Sequence, residues 1–133
     1  QQAIVRRMCL DLNLPVEIIT CPIIRDADGL ALSSRNASLS AEERASGLSL
    51  SRALALAEER IASGETDLER IQTEMRELLS GTPLIKLDYA TIADPDTLEE
   101  LSTAQSRMVA LIAAWSGSTR LIDNRELTAD SQT

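Results

Sequence analysis

The chain has 133 residues, 44% of them hydrophobic, and a formal net charge of −8, enough length for one compact domain or pieces of two and enough apolar content for a real core. Aromatic residues make up only 2%, with no Phe, so that core has to be aliphatic. The acidic balance argues against nucleic acid or an anionic membrane as the main partner, the lack of His and of a C-x-x-C spacing argues against a metal site or a redox pair, and no run of ~18 apolar residues offers a membrane span.

The first residues are already in helical rhythm. Ile4, Met8 and Leu12 recur every four positions with Val5 and Cys9 beside them, which predicts a helix over 1–13 closed by Pro15. "VEIIT" followed by "CPII" is rich in β-branched residues and predicts a strand over 16–24. Helix, short loop and strand make half of a parallel α/β unit. Residues 1–36 are therefore read as a remnant of an α/β domain, and the chain as a piece of a longer protein. Cys9 and Cys21 are read as two buried thiols of a cytosolic protein, and no signal-peptide pattern is visible, so a cytoplasmic location is expected.

The loop "RDADGLALSSRN" (25–36) follows, with Gly29 giving the backbone latitude. Ser40 and Glu43 in "LSAEER" form a capping box and predict a helix reaching about Ser63. Its spine is Leu50, Leu54, Ala57 and Ile61, and Gly64 ends it. Asp67 caps the next helix, whose stripe is Leu68, Ile71, Met75, Leu78 and Leu79; Gly81 and Pro83 stop it. The period then changes to two. "LIKLDYATI" predicts a strand with Ile85, Leu87 and Tyr89 on one face and Lys86, Asp88 and Ala90 on the other. "ADPDTLEEL" is turn chemistry with one helical turn, "RMVALIAAW" a central buried strand, and "STRLIDN" a last strand beyond Gly117. "RELTADSQT" reads as a frayed tail. The expected fold is α+β: two helices and a roughly three-stranded sheet over 37–133, preceded by the helix-strand remnant.

Few residues in this pattern suggest chemistry. The pairs Glu42-Glu43, Glu58-Glu59 and Glu99-Glu100 read as solvated helix faces, and Asp123 and Asn124 as turn formers. "LSSRN" differs. A phosphate needs backbone N–H groups, small hydroxyl side chains and a fixed positive fork, and Ser33, Ser34 and Arg35 offer these consecutively. They follow the predicted carboxyl end of a strand, where α/β folds bind ligands. Residues 1–36 carry four basic and four acidic groups, so the loop lies in the least acidic part of the chain.

The string "PIIRDADGLALSSRN" with "LSAEER", the opening "Q-x-x-x-V-R-R-M" with "DLNLPVEI", and the closing "AAWSGSTRLIDN" together resemble pantothenate synthetase, also called pantoate–β-alanine ligase. The resemblance spans about Gln1 to Asn124. It implies an adenylate-forming ligase that uses ATP and Mg²⁺ to join pantoate to β-alanine through a pantoyl adenylate, releasing AMP and pyrophosphate. It also implies a homodimer, no tightly bound cofactor, residues 1–36 as the end of a Rossmann-like nucleotide-binding domain, and 37–133 as a carboxyl-terminal domain that closes over the active site as a lid. Residue by residue, Leu32, Ser33, Ser34 and Arg35 match the loop that holds the ATP phosphates, Ile24 matches the backbone contact to adenine, and Gln1 matches a glutamine that hydrogen-bonds pantoate. The family's Gly-His-x-x-Leu signature, its first pantoate glutamine and a Lys-Asp pair before Gln1 are not in the chain and are expected upstream of it. No catalytic residue is assigned within these 133 residues, and they are expected to be inactive alone. Two alternatives stay open: a non-catalytic structural or interaction domain of the same fold, and another adenylate-forming ligase.

Overall fold

The structure, a computed structural model, describes residues 1–129. In chain order it contains α1 (Gln2–Asp11), a short 3-10 turn (Ser34–Ser38), α2 (Ala41–Ala62), α3 (Leu68–Ser80), β1 (Ile85–Ala93), β2 (Arg107–Ser116) and β3 (Thr119–Thr128). The strands form one antiparallel sheet in the order β1-β2-β3. The α+β expectation holds.

The helices form where their caps and stripes require. Ser40 Oγ accepts from the Glu43 N–H at 3.1 Å, and the Glu43 carboxylate accepts from the Ser40 N–H at 2.8 Å, so the capping box is complete. Such a cap stabilises a helix start by about 1 kcal/mol. Asp67 accepts from the Arg70 N–H at 3.1 Å and starts α3. Leu50, Leu54, Ala57 and Ile61 of α2 and Leu68, Ile71, Met75 and Leu79 of α3 are buried against one face of the sheet, while Leu78 is half-buried beside them. The sheet answers with Ala90, Ile92, Met108, Ala110, Ile112, Ala114, Leu121 and Leu127. Alternation on β2 puts Val109, Leu111, Ala113 and Trp115 on the opposite face. Gln72 is also buried; its Oε1 accepts from Thr91 Oγ1 at 2.8 Å and from the Ile92 N–H at 2.9 Å, fastening α3 to β1.

Several expectations are corrected. Residues 16–24 do not form a strand. β-Branched residues suit a strand, but a strand exists only with a neighbour to complete its ladder, and among the described residues no other segment pairs with 16–23, while Ile24 takes a single hydrogen bond from Leu32. Val16, Ile19 and Ile24 stand exposed instead. α1 stops at Asp11, short of Asn13, whose φ of +50° leaves the helical region. In β1 the register shifts between Leu87 and Tyr89, which reverses the alternation: Tyr89 turns outward and Ala90 inward. β3 runs through 125–128, so "RELT" is ladder rather than tail, because its residues pair with Arg107–Ala110; residues 130–133 lie outside the described residues. Asp123 and Asn124 sit in the middle of that strand, not at a turn. Cys9 is buried but Cys21 is exposed, since the segment carrying it has no sheet to lie in. Glu99 and Glu100 are exposed on the β1–β2 connection, not on a helix, because Asp94 Oδ1 takes the N–H groups of Asp96 and Thr97 and closes a turn there.

The β2–β3 hairpin is closed by Gly117, with φ +57°, directly against the start of α2. A methyl group at Gly117 would strike the Glu43 carboxylate that closes the capping box. Gly64, with φ +88°, faces open space. Gly64→Ala should therefore cost about 1 kcal/mol of backbone strain, and Gly117→Ala should cost about 1 kcal/mol more because the cap is displaced as well. Urea denaturation of both variants measures the difference; equal losses would mean that Glu43 swings aside freely.

Candidate functional site

The loop from Ile24 to Asn36 is built outward from a tight hairpin. The Leu32 N–H donates to the Ile24 carbonyl at 2.9 Å, and Arg25 bridges to Ala31. At the tip, the Asp26 N–H donates to the Leu30 carbonyl and the Gly29 N–H to the Asp26 carbonyl, both at 2.9 Å. Gly29 has φ +97°, which few side chains tolerate. Leu30 then dips into the core.

Two arginines hold this hairpin to the rest of the domain. Arg25 donates to both carboxylate oxygens of Asp123 in β3, at 2.7 and 2.9 Å, and to the Gly29 carbonyl at 3.1 Å. Hydrogen bonding to Asp123 raises the Arg25 pKa against the opposing effect of burial. Arg44 of α2 donates to Asp28 at 2.7 and 3.0 Å and to Asp26 at 2.8 Å, which raises its own pKa and holds the Asp28 carboxyl below its ordinary value.

Beyond Ala31 the chain enters the 3-10 turn. Ser33 caps it: its Oγ accepts from the Arg35 N–H at 3.2 Å. Asn36 Nδ2 donates to the Ala31 carbonyl at 3.0 Å, and Ser38 Oγ donates to the Arg35 carbonyl at 2.7 Å. These bonds fix the backbone and leave the side chains of Ser33, Ser34 and Arg35 exposed. They line a cleft of about 580 Å³ between residues 30–36 and residues 120–123 of β3, with Leu50, Tyr89 and Gln1 also in its wall.

The sequence-predicted residues divide here. Gln1, Leu32, Ser33, Ser34 and Arg35 come together in this cleft. Ile24 does not line it; its side chain is exposed and its carbonyl is occupied by Leu32. No local pattern points to Arg25, Asp123, Tyr89 or Arg120 as part of a site. Arg25 and Asp123 neutralise each other, and Arg120 is bound to Asp88 at 2.7 Å. Among the described residues Arg35 and Arg52 are the arginines with no carboxylate partner, and of these only Arg35 lines the cleft. A cation left uncompensated beside the Ser34 hydroxyl, and beside a Ser33 hydroxyl that accepts from the Arg35 N–H but keeps its own proton to donate, can take an anion with several oxygens. A second cleft, of about 450 Å³, lies between α1 and residues 96–98; it is mainly apolar, and its Arg7 and Asp11 pair with each other at 2.9 Å. No group of three or more carboxylate, thiol or imidazole side chains is placed to hold a metal ion among the described residues.

The chain matches the family described as pantoate-beta-alanine ligase over residues 1–126. It is 49% identical over 129 residues to a pantothenate synthetase of Roseiflexus sp. (strain RS-1), covering 97% of this chain and 46% of that protein. Among solved structures it is similar to a pantothenate synthetase from Thermus thermophilus, at 38% identity and a TM-score of 0.88, covering 93% of this chain and 45% of that one. The fold also matches a pantoate-beta-alanine ligase from Francisella tularensis complexed with beta-gamma ATP and beta-alanine, at 24% identity and a TM-score of 0.55, covering 91% of this chain and 37% of that one. The chain thus spans about half the length of the curated relatives it matches.

Charge also sets the acid limit of stability. Arg44 lowers the Asp28 carboxyl from its ordinary 3.8, Arg60 lowers Glu74 from 4.5, and the N–H groups of Thr97 and Asp96 lower Asp94 from 3.8. Depressed carboxyls contribute stability in full above their ordinary values and lose it as pH falls through the folded ones. With no His in the chain, no side chain titrates near neutrality at its ordinary value. The melting temperature should stay level between about pH 7 and 5 and drop below about pH 4; calorimetry that finds the drop beginning near pH 6 would contradict this.

Proposed function

The chain belongs to the pantoate-beta-alanine ligase family, and on that footing we propose that it forms the carboxyl-terminal part of an ATP-dependent ligase joining pantoate to β-alanine. In this reading residues 1–36 end a nucleotide-binding domain and 37–133 form a lid. The longer enzyme works in the cytoplasm as a homodimer, and this chain alone is inactive because the residues that complete the nucleotide site are not in it.

The observation that carries the reading is the uncompensated Arg35, standing with Ser33 and Ser34 in the same cleft as Gln1. Arg35 is suited to grip two phosphate oxygens at once, and the serine hydroxyls can approach closely enough to donate to others. Leu32 supplies the backbone entry to this grip; Ile24 lies outside the cleft with its carbonyl taken by Leu32, so its N–H is the backbone group that would contact adenine. The side-chain amide of Gln1 can donate to an oxygen of pantoate. With both ligands held, the pantoate carboxylate attacks the α-phosphorus and pyrophosphate departs; the β-alanine amine then displaces AMP from the acyl carbon. Negative charge gathers on the departing pyrophosphate, where Arg35 offsets it. The remainder is positioning, so no nucleophilic side chain is needed. Mg²⁺ enters this reading with the nucleotide, whose phosphate oxygens would hold it and whose charge it would help neutralise.

The test is Arg35→Ala in the full-length ligase carrying this chain. A charge-assisted grip on phosphate is worth about 1.5–3 kcal/mol, so kcat/KM for ATP should fall about 10- to 100-fold. Arg35 has no ion pair to lose, so the melting temperature should hold within about 1 °C. Equal losses of activity and stability would mark the loop as structural. The present chain, titrated calorimetrically with ATP, should give little heat; tight binding would show that its share of the site is larger than proposed.

A further inference from the structure

We propose that Arg25 is a positioning residue for the phosphate loop, holding Ser33–Arg35 at the cleft by tying the hairpin before them to β3. The inference rests on the reading of that loop given above, but its structural half stands independently. Arg25 and Asp123 are 98 positions apart and meet through two bonds of 2.7 and 2.9 Å, with side-chain exposures of 23% and 3%. A third bond from the same guanidinium, to the Gly29 carbonyl, sets the turn from which Leu30–Arg35 emerge. Arg44 repeats the arrangement from α2 through Asp26 and Asp28, and Leu30 is buried in the core.

The hairpin is thus fastened to the sheet and to α2, and the 3-10 turn follows it directly. Upstream the situation reverses: residues 17–23 make no hydrogen bond to the body among the described residues. The ties at Arg25 thus stand between this loosely bonded segment and Arg35. Arg25 itself offers no free donor fork to a ligand, because Asp123 and Gly29 already engage it.

Loss of Arg25 alone strands the Asp123 charge in a buried place and threatens the fold itself. The paired variant Arg25→Met with Asp123→Leu removes both charges and keeps apolar volume, a replacement that buried ion pairs often tolerate without loss of stability. Amide hydrogen exchange, followed by NMR on this chain without nucleotide, reads the outcome. In the paired variant the amides of Asp26, Gly29 and Leu32 should exchange at least 10-fold faster, while those of Leu54, Ile71 and Ile112 stay within about 3-fold of the parent. Arg25→Lys keeps the charge but replaces the fork with a point charge, and should speed the same loop amides by a smaller factor. Unchanged loop exchange in both variants, or loop and core quickening together, overturns the positioning role. The paired variant in the full-length ligase should also raise KM for ATP about 10-fold. Faster loop exchange with unaltered ATP kinetics would uphold the positioning role and sink the phosphate reading instead.

Discussion

Arg25 and Asp123 meet where an irregular loop lies against a regular sheet. The Asp123 charge would not be tolerated there alone, since a carboxylate only 3% exposed needs a partner that stays put. The pair answers this with a bidentate fork, and Arg25 adds the Gly29 carbonyl as a third acceptor. The hairpin carrying Arg25 is fixed as a result, and the two serines and the arginine that follow inherit that fixed frame. The aliphatic core beneath does the bulk stabilisation, but it is this junction that decides where the loop points.

The same rule of compensation sorts the charges around the cleft. Arg25, Arg44 and Arg120 are each spent on carboxylates within the domain. Arg35 is not, and it lines the same cleft as Ser33 and Ser34. On the reading proposed above, that uncompensated arginine is what an anionic ligand would meet.

Much of the fold could be read from local pattern. The capping box, the Asp67 cap and the period of the two apolar stripes gave α2 and α3 nearly to the residue, because each depends on neighbours within four positions. The central strand was equally plain from its length and apolar run. What failed depended on distant partners. Residues 16–24 have strand propensity, but strands are made by pairing, and the sequence of one segment says nothing about its neighbour's presence. The reversal in β1 comes from a register shift that leaves no mark on the alternation before it. Asp123 looked like a turn residue because Asp-Asn usually is one; only its distant partner Arg25 explains a carboxylate inside a strand. The site divides the same way. Ser33, Ser34 and Arg35 were legible as consecutive residues of suitable chemistry, and Gln1 through resemblance, whereas Arg120 and Tyr89 reach the cleft only through the folding of the sheet.

The most direct measurement is a crystal structure of the full-length protein carrying this chain with a non-hydrolysable ATP analogue. The account predicts the Arg35 guanidinium within about 3 Å of oxygens on the β- or γ-phosphate, with Ser33 or Ser34 donating beside it. An Arg35 side chain extended into solvent, with the triphosphate bound and out of its reach, would contradict it.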